Sequence, residues 1–257
     1  MKLLLIIPIH IANTKLKKDF TTRLRKHLIP ILDQDTVLDI VCLPSEATSS
    51  IECRIDRNIN SPLVVELALN AKAQGYEGIF VTDMDMCGVD LCREALNIPI
   101  VGGFRPSVFT ALMLAEKFSI ITILDQVVSM QRGHVHHFGL TENFVSFRVA
   151  DIPVSMLLEN HPYCVEALVD QSIKAIECDG AESIVFGCTG IMELTDKVKQ
   201  ALMHKGYDIP VIDPNRVAMS QLQLMVKNRL SQSKKTFMTP SVVNINTERC
   251  LGSIESL

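Results

Sequence analysis

The chain repeats one of its own segments. GYEGIFVTD, Gly75 to Asp83, returns as GAESIVFGC, Gly180 to Cys188, at a constant offset of 105 (180 − 75 = 188 − 83). Each copy runs into a helix-like stretch and then reaches IPIVGG (Ile98 to Gly103) or IPVIDP (Ile209 to Pro214). Strand, helical connection and second strand are the parts of a βαβ unit, so two copies imply two similar half-molecules. The repeat also makes Asp83 the counterpart of Cys188. Two groups at equivalent strand ends suit a reaction in which one carbon is approached from two sides.

The apolar runs are short and continuous rather than alternating, which marks strands covered on both faces, as in a parallel sheet. They are predicted at 2–9, 37–43, 78–83 and 99–102, and again at 118–124, 143–149, 183–188 and 210–213. Between them, Leu63 to Gln74 carries apolar residues at Leu63, Val64, Leu67, Ala68 and Ala71, the stripe of a helix lying on a sheet. Pro62 stands where a first helical turn tolerates it. Pro106 to Lys117 and Tyr163 to Asp179 also read as helices, the second ending before Gly180. The expected fold is α/β, doubly wound, in two pseudo-symmetric lobes, each a parallel four-stranded sheet flanked by helices. Residues 1–104 with 214–230 form the first lobe and 105–213 the second, while 231–257 reads as a polar C-terminal tail on the surface or loosely docked.

Composition narrows the function. With 257 residues, 47% of them hydrophobic and 21% charged, and a formal net charge of −4, the chain can bury a full core and has no basic excess for nucleic acid. The eight cysteines, at 42, 53, 87, 92, 164, 178, 188 and 250, include no C-x-x-C, which favours free thiols and a cytoplasmic setting. MKLLLIIPIH reads as a buried first strand, interrupted by Pro8 and His10, rather than an export signal. No run approaches the ~20 apolar residues of a membrane span. No G-x-G-x-x-G opens a helix and no Walker lysine appears, so no nucleotide cofactor is expected. The imidazoles of GHVHH (Gly133 to His137) read as a solvated helix end, with no ligand set to complete a metal site.

In doubly wound sheets ligands sit outside the carboxyl ends of the strands, where both Asp83 and Cys188 fall. A cysteine followed by Thr189, Gly190 and a helix-like stretch has free N–H groups ahead of it that favour a thiolate. The same groups suit a substrate carboxylate or oxyanion. Burial would raise the pKa of Asp83 and let it carry a proton as the second acid/base. His10, at another strand end, is a candidate ligand contact. Cys87 and Cys92 read as packing residues, with Cys87 an alternative thiol if its loop bends. Asp213 and Asn215 read as turn or interlobe residues.

VFGCTGIMEL (Val185 to Leu194) resembles the second cysteine motif of the aspartate/glutamate/hydantoin racemase superfamily, in particular its hydantoin and allantoin racemase branch. SSIECRID (Ser49 to Asp56), CGVDLCREALNIPIVGG (Cys87 to Gly103), FSIITIL (Phe118 to Leu124) and RVADIPVSMLLE (Arg148 to Glu159) resemble that branch too. The likeness implies cofactor-independent isomerisation of a small molecule at an acidic carbon, in a cleft between lobes that each supply one cysteine, and a homo-oligomer. Cys188 takes one cysteine's place, and Asp83 stands where the other belongs. Thr82, Thr122, Thr189 and Gly190, with His10, match or replace substrate contacts. Where the branch has a Gly-Asp-Pro-Gly-like turn this chain has Met84-Asp85-Met86-Cys87-Gly88, and where it has Asn-Pro-Asn-Thr this chain has Ile7-Pro8-Ile9-His10. Two rivals follow: a one-cysteine decarboxylase of the arylmalonate type, or a ligand-binding homologue that has lost catalysis.

Overall fold

The computed structural model describes residues 1–158 and 163–241. Glu159, Cys250 and the part of the expected tail beyond residue 241 lie outside them. The chain divides into two compact units, Met1–Gly103 with Ala218 onward, and Phe104–Val217. The first unit is discontinuous in sequence and the second is contiguous.

In the first unit the elements run β1 (Lys2–Ile7), α1 (Thr14–Leu28), β2 (Val37–Cys42), α2 (Arg54–Ala73), β3 (Gly78–Val81), α3 (Val89–Ala95) and β4 (Ile100–Gly102). All pairings are parallel, and the sheet order is β2-β1-β3-β4. Leu3, Leu4, Leu5 and Ile6 are wholly buried because β1 lies between two strands with both faces covered. That double burial is why LLLII reads as an unbroken apolar run.

The second unit repeats the plan with α4 (Phe104–Leu114), β5 (Phe118–Thr122), α5 (Asp125–His137), β6 (Phe144–Val149), α6 (Val154–Leu158), α7 (Tyr163–Asp179), β7 (Ser183–Phe186), α8 (Leu194–His204) and β8 (Val211–Ile212). Its sheet is again parallel, in the order β6-β5-β7-β8. Ile121, Ile184, Phe186, Leu168 and Val198 form one apolar cluster between sheet and helices. The registers Ile6↔Val81 and Ile121↔Phe186 make β1 and β3 the counterparts of β5 and β7. Asp83 and Cys188 each lie two residues beyond the strand that carries them.

α9 (Pro214–Lys227) is the last helix among the described residues. Its Gln223 accepts from the Asp33 N–H (2.9 Å) and donates to the Ile31 carbonyl (3.0 Å), fastening it to the segment between α1 and β2. Beyond it, Gln232 donates to the Leu96 and Ile98 carbonyls (2.8 and 2.9 Å), and Lys234 Nζ to those of Arg93, Glu94 and Leu96. These carbonyls belong to the last turn of α3 and the residues after it, where a helix leaves acceptors unfilled and favours a cation. Residues 231–234 therefore cap α3.

Pro62 does not open α2 but lies inside it. The helix starts at Arg54 because the Asp56 carboxylate accepts from the N–H groups of Glu52 (3.0 Å) and Cys53 (3.2 Å), forming a capping box two turns ahead of the proline. The helical pattern is masked there by Asn58, Asn60 and Ser61. No helix among the described residues is long and apolar enough to cross a membrane.

Leu4→Ala, at the centre of β1, is expected to cost about 2–5 kcal/mol through lost burial and a residual cavity. Urea unfolding of the two proteins measures it, and a loss below ~1 kcal/mol would contradict the packing described for that strand.

Candidate active site

In each sheet the chain leaves the first strand toward one edge and returns across it to the third, so a topological switch point lies between β1 and β3, and another between β5 and β7. Loops part there, leaving the carboxyl ends open to a ligand.

At the first switch point β3 continues through Thr82, whose N–H still bonds to Ile6 O (2.9 Å), into Asp83. Asp83 is fixed at three atoms: its N–H bonds to Val81 O, its carbonyl accepts from Gly103 N–H (both 2.8 Å), and Oδ2 accepts from Cys87 N–H (2.7 Å). Burial pushes its carboxyl above the ordinary 3.8, against the backbone N–H groups of Cys87, Asp85 and Met84 and the charge of Arg57, which pull it down. The group is thus held by donors suited to its anion while its surroundings favour the acid.

The loop folds back through Met86 and Gly88, at φ of 59° and 67°. A side chain at Gly88 would also place its Cβ 2.9 Å from Val64 Cβ, so only glycine fits. The turn aims the Cys87 sulfur away from the strand ends, at Ser61 Oγ (3.5 Å) and the Arg57 carbonyl (3.6 Å) on α2. Burial, then the negative charge of Asp83, drives this thiol far above its usual pKa. Cys92 is pushed up to about 12 by burial. Both are packing thiols.

His10 stands at the end of β1, half-buried, its N–H on Thr48 O (2.9 Å) and Nδ1 3.3 Å from Leu43 O. The loops after β1 and β2 are joined by a residue the sequence did not single out. Asn60, wholly buried on α2, donates to Pro8 O and to Thr48 Oγ1 (both 2.9 Å) and accepts from Thr48 N–H (2.9 Å). An asparagine inside a helix is a weak signal by itself, since its partners are visible only in three dimensions.

At the second switch point β7 runs through Gly187, whose N–H bonds to Ile121 O (2.8 Å), to the half-buried Cys188. Gly187 is boxed in: a Cβ there would lie 2.6 Å from Gln131 Oε1 and 2.9 Å from Thr122 Cβ. Thr122 is wholly buried beside it, and its Oγ1 has no hydrogen-bond partner among the described residues. The expected α-helix does not begin at Cys188. A single 3-10 turn, Thr189–Ile191, comes first, then Met192 at φ 40°, and α8 starts only at Leu194. The left-handed residue breaks the helical path, so the local donor that meets the sulfur is Gly190 N–H, at 3.4 Å, rather than the end of a helix.

This edge of the second sheet therefore gathers Thr122, Cys188, Thr189 and Gly190. In the first sheet the equivalent edge gathers His10, Thr82 and Asp83. Two buried amides were not recognised as site elements from sequence. Gln131 Nε2 donates to Gly187 O and Asn215 Nδ2 to Thr189 O, each at 2.7 Å. Asp213 caps the first turn of α9, accepting from Arg216 N–H (2.9 Å), and so sets Asn215 in place. The GHVHH imidazoles end α5, where His134 lies 5.1 Å from the Phe104 ring and His137 4.8 Å from Phe138. Among the described residues no group of three or more His, Cys, Asp or Glu could hold a metal ion.

Two curated proteins named hydantoin racemase are each 28% identical to this chain. One, from Rhizobium meliloti, matches over 201 residues, 77% of this chain and 81% of its own length. The other, from Pseudomonas sp. (strain NS671), matches over 170 residues, 66% of each, so the match spans just under two thirds of that relative. Among solved structures, allantoin racemase from Klebsiella pneumoniae superimposes with a TM-score of 0.85 at 24% identity over 95% of both chains, a likeness of fold. The family description Asp/Glu/hydantoin racemase fits residues 9–222. The chain belongs to the Asp/Glu/hydantoin racemase family, in company with relatives of the hydantoin and allantoin branch.

Proposed function

We propose that this protein is a cofactor-independent racemase or epimerase acting on an acidic carbon of a hydantoin-like or amino-acid-like substrate, with Cys188 and Asp83 as its acid/base pair. What carries the reading is their equivalence: each lies two residues past the corresponding strand, at the switch point of its own sheet. The Cys188 thiolate takes the carbon-bound proton, leaving an enolate-like carbanion. The protonated carboxyl of Asp83 returns a proton to the carbon, leaving thiol and carboxylate, and the reverse direction restores both. A proton delivered to the face opposite the one it left inverts the centre. Burial favours the protonated carboxyl this step needs. Thr82, Thr189, Gly190 and His10 are the proposed substrate contacts, with Thr122 supporting them from beneath.

A second reading is favoured by one observation, the engagement of Asp83 Oδ2 by the Cys87 N–H. A carboxylate used to shape its loop leaves Cys188 to work alone, as in decarboxylation followed by protonation of the resulting enolate. Incubation with single enantiomers of allantoin, 5-substituted hydantoins, aspartate and glutamate in deuterated water separates the readings. Exchange with inversion supports the racemase, exchange with retention supports one-base chemistry, and no exchange with any of them points to a ligand-binding protein.

Cys188→Ala should abolish exchange, and unchanged turnover would remove Cys188 from the mechanism. Asp83→Asn should slow inversion at least ~100-fold, whereas a mild effect, read from polarimetric rates, would give its role to another group or to water. The same variant tests the burial of the carboxyl. A folded-state pKa above 3.8 contributes stability that is complete below 3.8 and lost as pH rises through the raised value. A carboxamide at this position does not ionise, so the variant should gain stability relative to the parent as pH rises above about 4. Urea midpoints at about pH 4 and pH 8 give the comparison, and a relative loss at the higher pH would mean that the backbone donors win.

A further inference from the structure

Cys188 is held between two buried amides that meet its backbone on either side. Gln131, wholly buried on α5, donates to the carbonyl of the preceding residue, Gly187. Asn215, wholly buried in the first turn of α9, donates to the carbonyl of the following residue, Thr189. The two contacts are not equivalent in consequence. The Thr189 carbonyl and the Gly190 N–H belong to one peptide plane, and in a trans peptide they point in opposite directions. That N–H is the one that meets the Cys188 sulfur, at 3.4 Å.

The geometry points to Asn215 as a positioning residue for the Cys188 thiolate, acting through the peptide between Thr189 and Gly190. Asn215 fixes the plane of that peptide by its oxygen and thereby aims its hydrogen at the sulfur. It also polarises the amide, because a carbonyl that accepts a hydrogen bond makes its own N–H a better donor. A donor to sulfur stabilises the anion more than the neutral thiol, so the arrangement lowers the energy of the thiolate form. With no α-helix starting at Cys188, this peptide does the work expected of a helix N-terminus. The turn's own backbone bond is long, Ile191 N–H to Cys188 O at 3.4 Å, and Met192 has already left the helical path, so the contact from Asn215 adds to what holds the plane. The variants used in the test neither add nor remove a charge, so Arg105, Asp125, Arg132, Asp151, Glu193, Asp213 and the Asp196–Arg216 pair all stay in place.

Gln131 supplies the contrast. Its Oε1 is buried with no partner among the described residues, and its amide nitrogen donates toward Gly187. It fixes the strand end without touching the peptide that serves the sulfur.

This inference deepens the proposed role of Cys188, but its test needs no turnover. The probe is iodoacetamide, with alkylation of the Cys188 peptide followed by mass spectrometry against pH, and Cys188→Ala identifying that peptide. In Asn215→Leu, which is close in size, loses the donor and adds no charge, and in Asn215→Ala, the alkylation midpoint should rise by about one pH unit, slowing modification at neutral pH roughly tenfold. In Gln131→Leu the midpoint should hold while melting temperature falls. An unchanged midpoint in an Asn215 variant that melts like the parent overturns the inference. So does an equal rise in Gln131→Leu, which would mean general loosening of the strand end. If Cys188→Ala retains activity while the midpoints shift as expected, the catalytic reading fails and the positioning stands.

Discussion

Every strand pairing in both sheets is parallel, and the arrangement of the candidate site descends from that. A parallel strand cannot be reached by a tight turn, so each needs a crossover over the sheet face. The helices that make the crossovers bury both faces and exclude water from the strands. Within each sheet the carboxyl ends then meet at one edge, and the order that places β1 beside β3, and β5 beside β7, opens a gap between neighbouring loops. Reactive side chains need only sit at the ends of β3 and β7 to be presented at such gaps. No loop has to carry them there.

The fold was legible because double burial writes itself into sequence as short unbroken runs of Leu, Ile and Val. Tyr163–Asp179 was legible as a helix for the same kind of reason, with apolar spacing inside and Gly180 after it. Asp83 and Cys188 were visible through the repeat, which preserves the position while changing the chemistry. What sequence concealed was set by contacts distant along the chain. The start of α2 depends on the Asp56 carboxylate, and its polar first turns hide the pattern. The turn after Cys188 resembled a helix start, since Thr, Gly and Ile allow either conformation, and only the backbone at Met192 decides. Asn60, Gln131 and Asn215 are amides whose partners lie 12 to 56 residues away, and no local pattern announces such bonds.

The two strand ends hold their side chains in different ways. Asp83 is surrounded by backbone N–H groups, yet burial keeps its acid form favoured. Cys188 is more open and meets a weak donor, itself supported from behind by Asn215. A carboxyl starts several units below neutral pH and must be moved up to hold a proton, whereas a thiol starts above it and must be moved down to lose one. Burial does the first at Asp83. Cys87, close in sequence to Asp83, shows what burial does to a thiol when a carboxylate lies nearby: it becomes too costly to ionise.

The discontinuity of the first unit sets an order of events on the ribosome. Residues 104–217 form a contiguous compact unit, and domains generally fold as units during synthesis. The earlier-synthesised half must wait. Its sheet is out first, but Gln223 and the cap that Gln232 and Lys234 place on α3 arrive more than a hundred residues later. Until then the helix that follows the Asp83 loop lacks the donors that fill its last carbonyls. The part of the protein translated first therefore completes its contacts last.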